Sequence, residues 1–171
     1  MCSTGRLRIM RCELGYIRRA DGSCSYSQGR TSLWASCSGP GDIHVARRED
    51  EQMHLDVSFR QLTGDCQYHK VIRTGFDDIF RHFSSGTCCL TVHLLQADGS
   101  VGGAAITAAG LAVLDNGISI KAPFCGVEVC QVDGKLVLDA DARTQARAEA
   151  NWLFAFTRTA DVSWLSINVV H

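Results

Sequence analysis

Apolar and polar residues alternate along most of the chain, and period 2 predicts a protein built largely of half-buried strands. Leu7–Glu13 reads as a first strand, and Ala20-Asp21-Gly22 as a turn. Ser23–Gln28 and Thr31–Ser38 form a predicted hairpin around Gly29. In its second arm Leu33, Ala35 and Cys37 alternate with Ser32, Trp34, Ser36 and Ser38, so the two sets fall on opposite faces. Gly39-Pro40-Gly41 is expected to stop that strand. Asp42–Ala46 is a short strand and Arg47–Glu51 a charged loop. Gln52–Phe59 alternates again, with Met53, Leu55, Val57 and Phe59 on one face, and a polar loop, Arg60–Cys66, follows.

The period then changes. Over Gln67–Phe83 the residues Ile72, Phe76, Ile79, Phe80 and Phe83 make one helical stripe, ended by Ser84-Ser85-Gly86. Thr87–Ala97 returns to strand, with Cys88, Leu90, Val92 and Leu94 facing away from Cys89, Thr91, His93 and Leu95. Gly102–Leu114 is a second helix, rich in alanine and glycine and suited to close packing on another backbone; Asn116-Gly117 closes it. After a short extended piece, Ile118–Lys121, come Cys125–Val132 and Lys135–Leu138, a hairpin across Asp133-Gly134. Asp139–Glu149 is polar and alanine-rich and fits helix or loop equally; Trp152–Thr157 and Val162–Val170 are final strands. The order predicts a two-layer α/β (α+β) packing in a single unit, 1–171.

Composition narrows this. With 171 residues, 46% apolar, 20% charged and only two prolines, the chain suits a globular core and not disorder, collagen or coiled coil. Its longest weakly polar run, Gly102–Leu114, is too short to cross a bilayer, no signal peptide is expected, and Cys2 excludes an N-myristoyl glycine. Nine cysteines, without a Cys-x-x-Cys, read as reduced, mostly buried thiols of a nuclear or cytosolic protein. The histidines show no zinc spacing. Residues 1–48 hold eight arginines and no lysine against Glu13, Asp21 and Asp42, a formal +5, while the remainder carries −6. That asymmetry suits a basic surface for phosphates or acidic partners, or arginines that pair within the fold.

Chemistry-bearing patterns are sparse. Asp139 and Asp141 follow a predicted strand, where two carboxylates either hold a hard cation such as Mg²⁺ or cap a loop. Gly99–Gly103 either offers backbone N–H groups to an anion or serves tight turn geometry. No phosphate loop with a following lysine and no Gly-x-Ser-x-Gly elbow is present.

A series of short motifs in one order carries a resemblance: Met10-Arg11-Cys12-Glu13-Leu14-Gly15, Arg19-Ala20-Asp21-Gly22-Ser23-Cys24, Gln28-Gly29-Arg30-Thr31-Ser32, Ser38-Gly39-Pro40, Val71-Ile72-Arg73, Gln96-Ala97-Asp98-Gly99-Ser100 and Leu136-Val137-Leu138-Asp139. Across residues 7–168 the chain resembles RNase PH-like proteins, in particular the RNA exosome ring subunits. The resemblance implies a two-layer fold related to ribosomal protein S5 domain 2. It also implies chemistry in which phosphate removes 3′ nucleotides, with a Gly-Thr-Arg motif for the phosphate and two acidic residues six apart for the metal.

Both features are altered here. The Gly-Thr-Arg place falls on Ser100-Val101-Gly102, without the arginine fork, and the acidic pair on Asp139 and Gln145, with Asp141 as the alternative second carboxylate. The resemblance therefore implies a non-catalytic ring subunit without a cofactor, with Mg²⁺ relevant only if Asp139 and Asp141 act together. Its partners would be other RNase PH-like subunits, cap subunits and RNA, with no membrane, in nucleus, nucleolus and cytoplasm. Arg60, Arg47 and Arg48 are candidate RNA contacts through phosphate, or inter-subunit ion pairs. The alternative is a metal-dependent nuclease, phosphorolytic or hydrolytic, acting outside the ring. The family usually continues into a C-terminal helix where this sequence stops at His171, which implies a truncated chain or a subunit that relies on a neighbour.

Overall fold

The computed structural model describes residues 6–41, 53–61, 86–118, 120, 122–157 and 165–169. Among them the order is β1 (Met10–Leu14), β2 (Gly22–Gln28), β3 (Thr31–Gly41), β4 (Met53–Gln61), β5 (Gly86–Gln96), α1 (Val101–Asn116), β6 (Phe124–Val132), β7 (Lys135–Leu138), α2 (Ala142–Gln145), β8 (Ala150–Thr157) and β9 (Leu165–Val169). The strands form a five-stranded sheet, β1-β2-β3-β5-β4, and a four-stranded sheet, β7-β6-β8-β9. All pairings are antiparallel except β4 with β5, which is parallel.

The alternation sets the faces. Leu33, Ala35 and Cys37 of β3 and Cys88, Leu90, Val92 and Leu94 of β5 are buried, while Cys89 is exposed. Val57 and Phe59 of β4 join them in the core.

Helix α1 lies against β2 and β3 of one sheet and β6 of the other. Its small residues are what permit this. A Cβ on Gly126 of β6 would stand 2.8 Å from the Gly103 carbonyl oxygen and 2.7 Å from Cβ of Ile106. On the other side, a Cβ on Gly22 of β2 would run into the backbone of Ala112 and Asn116. The helix closes at Gly117, whose φ of 74° lets its N–H reach the Leu114 carbonyl at 3.2 Å.

Several boundaries differ from expectation. β1 begins at Met10 rather than Leu7. Gly39-Pro40-Gly41 does not stop β3: pairing with β5 resumes at Gly41↔Thr87 after a register shift, with a cis Gly39–Pro40 bond in the irregular stretch. Arg60 lies inside β4 and not in a loop. The open stretch Asp139–Glu149 contains the short helix α2. The predicted helix Gln67–Phe83, the strand Asp42–Ala46 and Arg47 and Arg48 lie outside the described residues.

Candidate functional site

At the N-terminal end of α1 two turns are stitched together. Gly99 (φ 79°) and Ser100 (φ 50°) are left-handed, and a Cβ on Gly99 would fall 2.6 Å from the Asp141 carbonyl carbon, so only glycine fits. The buried Thr31 hydroxyl donates to the Gly99 carbonyl at 2.8 Å and accepts the Asp98 N–H at 3.0 Å. Ser100 Oγ donates to the Ala140 carbonyl at 3.1 Å, tying the helix start to the turn after β7, where Asp139 is itself left-handed at φ 52°.

Asp139 is almost wholly buried, and Arg8 comes to it from before β1. Arg8 Nη2 donates to Asp139 Oδ1 at 2.6 Å, and the Arg8 backbone N–H donates to Oδ2 at 2.8 Å. The same guanidinium donates to the carbonyls of Asp98 (2.6 Å) and Gly99 (3.2 Å). Burial alone would raise the Asp139 carboxyl; hydrogen bonds from Arg8 and Gln28 and the guanidinium charge outweigh it and hold the group below the usual carboxylate range.

A second buried carboxylate occupies the helix terminus itself. Glu128, on the core face of β6, accepts the Gly102 N–H through Oε2 at 3.2 Å. Its Oε1 accepts from Gln145 Nε2 at 2.5 Å, and Gln145 Oε1 in turn accepts the Ser100 N–H at 3.1 Å. Burial pushes the Glu128 carboxyl up; the N–H groups of Gly102 and Gly103 and the Gln145 amide offset only part of that, and the charge of Asp139 adds to the rise. The first amides of α1, which in an open helix end attract an outside anion, therefore meet a carboxylate from the chain itself. Asp141 has a different task. Its Oδ1 accepts the Thr144 N–H at 2.9 Å as the N-cap of α2, and these hydrogen bonds lower its carboxyl.

A family match, described as 3′ exoribonuclease family, domain 1, runs over residues 6–119 and takes in β1 to β5 and α1. The chain belongs to the RNase PH family. A curated relative, the exosome complex component RRP46 homolog of Caenorhabditis elegans, is 41% identical over 165 residues, 92% of this chain and 76% of the relative. Among solved structures, rice (Oryza sativa) Rrp46 superposes with a TM-score of 0.88 at 20% identity, covering 99% of this chain and 84% of that one. The C. elegans cell-death-related nuclease 5 superposes with a TM-score of 0.66 at 32% identity, covering 98% and 81%.

Within this RNase PH fold, Ser100, Val101, Gly102, Asp139, Asp141 and Gln145 all gather at one end of α1. Arg60 is exposed on β4, at the opposite edge of its sheet from β1, and its side-chain Nε donates to Ser58 Oγ at 3.5 Å. A divalent cation does not fit the residues present. Both oxygens of Asp139 are held by Arg8, Asp141 caps a helix, and Gln145 spends both amide atoms on Ser100 and Glu128. No cluster of three candidate ligands occurs among the described residues. The sequence reading did not assign Arg8, Thr31, Gln28 or Glu128 to the site, although Gln28 and Thr31 stand in one of the motifs that carry the resemblance. For Glu128 a signal existed: it shares a strand face with Gly126 and Cys130, so period 2 puts a lone acid among buried positions.

Proposed function

We propose that this chain is a non-catalytic structural subunit of an RNA exosome core ring, supporting 3′-to-5′ RNA processing and degradation and lining the RNA path. The 41% identical relative is an exosome component. The observation that carries the non-catalytic reading is the internal circuit Ser100–Gln145–Glu128–Gly102. It puts a carboxyl group of the chain's own where an attacking phosphate would need N–H donors, and the arginine fork that would compete with it is absent from Ser100-Val101-Gly102. Partners are other RNase PH-like ring subunits, cap subunits and RNA, the last met through phosphate contacts by Arg60, Arg47 and Arg48. None of the described helices is long and apolar enough to cross a membrane, and the ring reading calls for no membrane partner. The complex works in nucleus, nucleolus and cytoplasm, and no cofactor is needed.

A second reading, a metal-dependent nuclease outside the ring, draws on the 32% identical structure named a cell-death-related nuclease. Product analysis separates the two. The purified chain is incubated with a 3′-ended RNA, Mg²⁺ and inorganic phosphate, and released nucleotides are resolved. The ring reading expects intact RNA. Nucleoside diphosphates would overturn it, and monophosphates that vanish in Asp139→Asn would establish the hydrolytic alternative.

A further inference from the structure

Away from that site, the core between β3 and β5 holds two thiols in contact. Cys37 and Cys88 are both fully buried, and their sulfurs lie 3.3 Å apart. The strand register pairs Cys37 with Leu90, so Cys88 is its diagonal neighbour on the same face. A third group attends them: Asn116 Nδ2, at the end of α1, donates to Cys37 Sγ at 3.2 Å and to the Gly39 carbonyl at 3.1 Å. Cys37 is thus placed to accept two hydrogen bonds. The bond from Cys88 lowers its thiol most, burial opposes that, and the Asn116 amide lowers it further; Cys88, as donor, is pushed well up by that bond and by burial. A hydrogen-bonded thiol pair is built across two adjacent inner strands of the sheet.

We propose that Cys37 and Cys88 form a disulfide when the chain meets a peroxide, tying β3 to β5. The Cys37 sulfur attacks one peroxide oxygen; the O–O bond breaks, Cys37 becomes a sulfenic acid, and the leaving hydroxide takes the Cys37 proton to become water. The Cys88 sulfur then attacks Cys37; the S–S bond forms, the S–O bond breaks, and hydroxide leaves with the Cys88 proton as a second water. Two thiols are oxidised and one peroxide is reduced to two waters. Closure brings the sulfurs about 1.3 Å nearer, to the usual bond length. Both thiols are closed off from solvent, so peroxide reaches them through local opening beside Cys37, where the β3–β5 ladder loses register between Ser38 and Gly41 and both of those residues are exposed. The bridge joins positions 51 apart in sequence and encloses β4 and Arg60, which on loop-closure grounds raises Tm by about 8–16 °C.

Peptide mapping tests this on the full chain. The exposed Cys89 is changed to serine so that Cys88 is the one cysteine left of the vicinal pair. The protein is oxidised with hydrogen peroxide, alkylated after denaturation, digested without reductant and analysed by mass spectrometry. The expected product is a Cys37–Cys88 cross-linked peptide, reversible by dithiothreitol, with Tm raised before reduction. Asn116→Ala, which keeps both thiols, is expected to slow its formation several-fold. Recovery of Cys37 and Cys88 as alkylated thiols while Cys12 or Cys125 is oxidised would overturn the proposal. So would a Tm rise that persists in Cys37→Ser.

Discussion

Asp139 and Glu128 are both buried carboxylates at one end of α1; burial raises both, yet their net shifts have opposite sign. Asp139 is overcompensated by Arg8 and Gln28, so its folded value lies below the usual one. It therefore adds stability above the ordinary aspartate range, and that stability is lost as pH falls through the depressed value. Glu128 is undercompensated by Gly102, Gly103 and Gln145, so its folded value lies above the usual one. The folded state then binds its proton more tightly, and stability declines as pH rises from the ordinary glutamate range through the raised value. Tm measured against pH is expected to fall on both sides of a maximum near the ordinary carboxylate values. Glu128→Gln should flatten the upper limb and leave the acid limb in place; an unchanged upper limb would assign that slope to another group. Sequence pointed to Asp139 and Gln145 because a motif order could be followed through them. It did not point to Arg8, whose partner Asp139 is 131 positions away, because nothing local announces such a pairing.

At the scale of elements, what decides the site is how closely α1 approaches β6. Gly103 and Gly126 let two backbones meet, and that contact sets Glu128 opposite the helix amides. Gly126→Val would place a branched side chain where a Cβ already lies 2.8 Å from the Gly103 carbonyl oxygen. Overpacking of this kind costs about 1–3 kcal/mol, or about 2–12 °C in Tm for a chain of this size. Thermal unfolding checks it; a Tm within a degree of wild type would mean the helix can slide without loss. The alternating strands and the alanine-glycine helix were legible, since each is a repeating pattern along a continuous stretch. Their ends were less so. β3 runs on through Gly39-Pro40-Gly41 because an irregular register absorbs residues that cannot pair regularly, and α2, at four residues, is too short to show a period and is set by the Asp141 cap.

For the whole molecule, the α+β class followed from the order of elements, but the division of strands between two sheets did not. That division rests on partners such as β3 with β5, which skip β4 and leave no local trace. The same topology leaves two apolar edges open. Every residue of the edge strand β1 is exposed, Ile9 just before it is 75% exposed, and Leu136 and Leu138 are exposed on β7, the edge of the other sheet. An uncovered apolar edge tends to pair with another chain, by design or by aggregation. A ring subunit has its neighbours for this purpose; a free-standing enzyme would have to protect the edge in another way. Expressed alone, the chain is accordingly expected to self-associate in light scattering. Co-expressed with an RNase PH-like ring partner, it should elute as a stoichiometric complex. Ile9→Lys, which puts a charge on the open edge without touching the core, should shift the isolated chain towards monomer and weaken capture by the partner. A monodisperse wild-type monomer that ignores every ring partner would leave the edge without an occupant and remove the structural case for ring assembly.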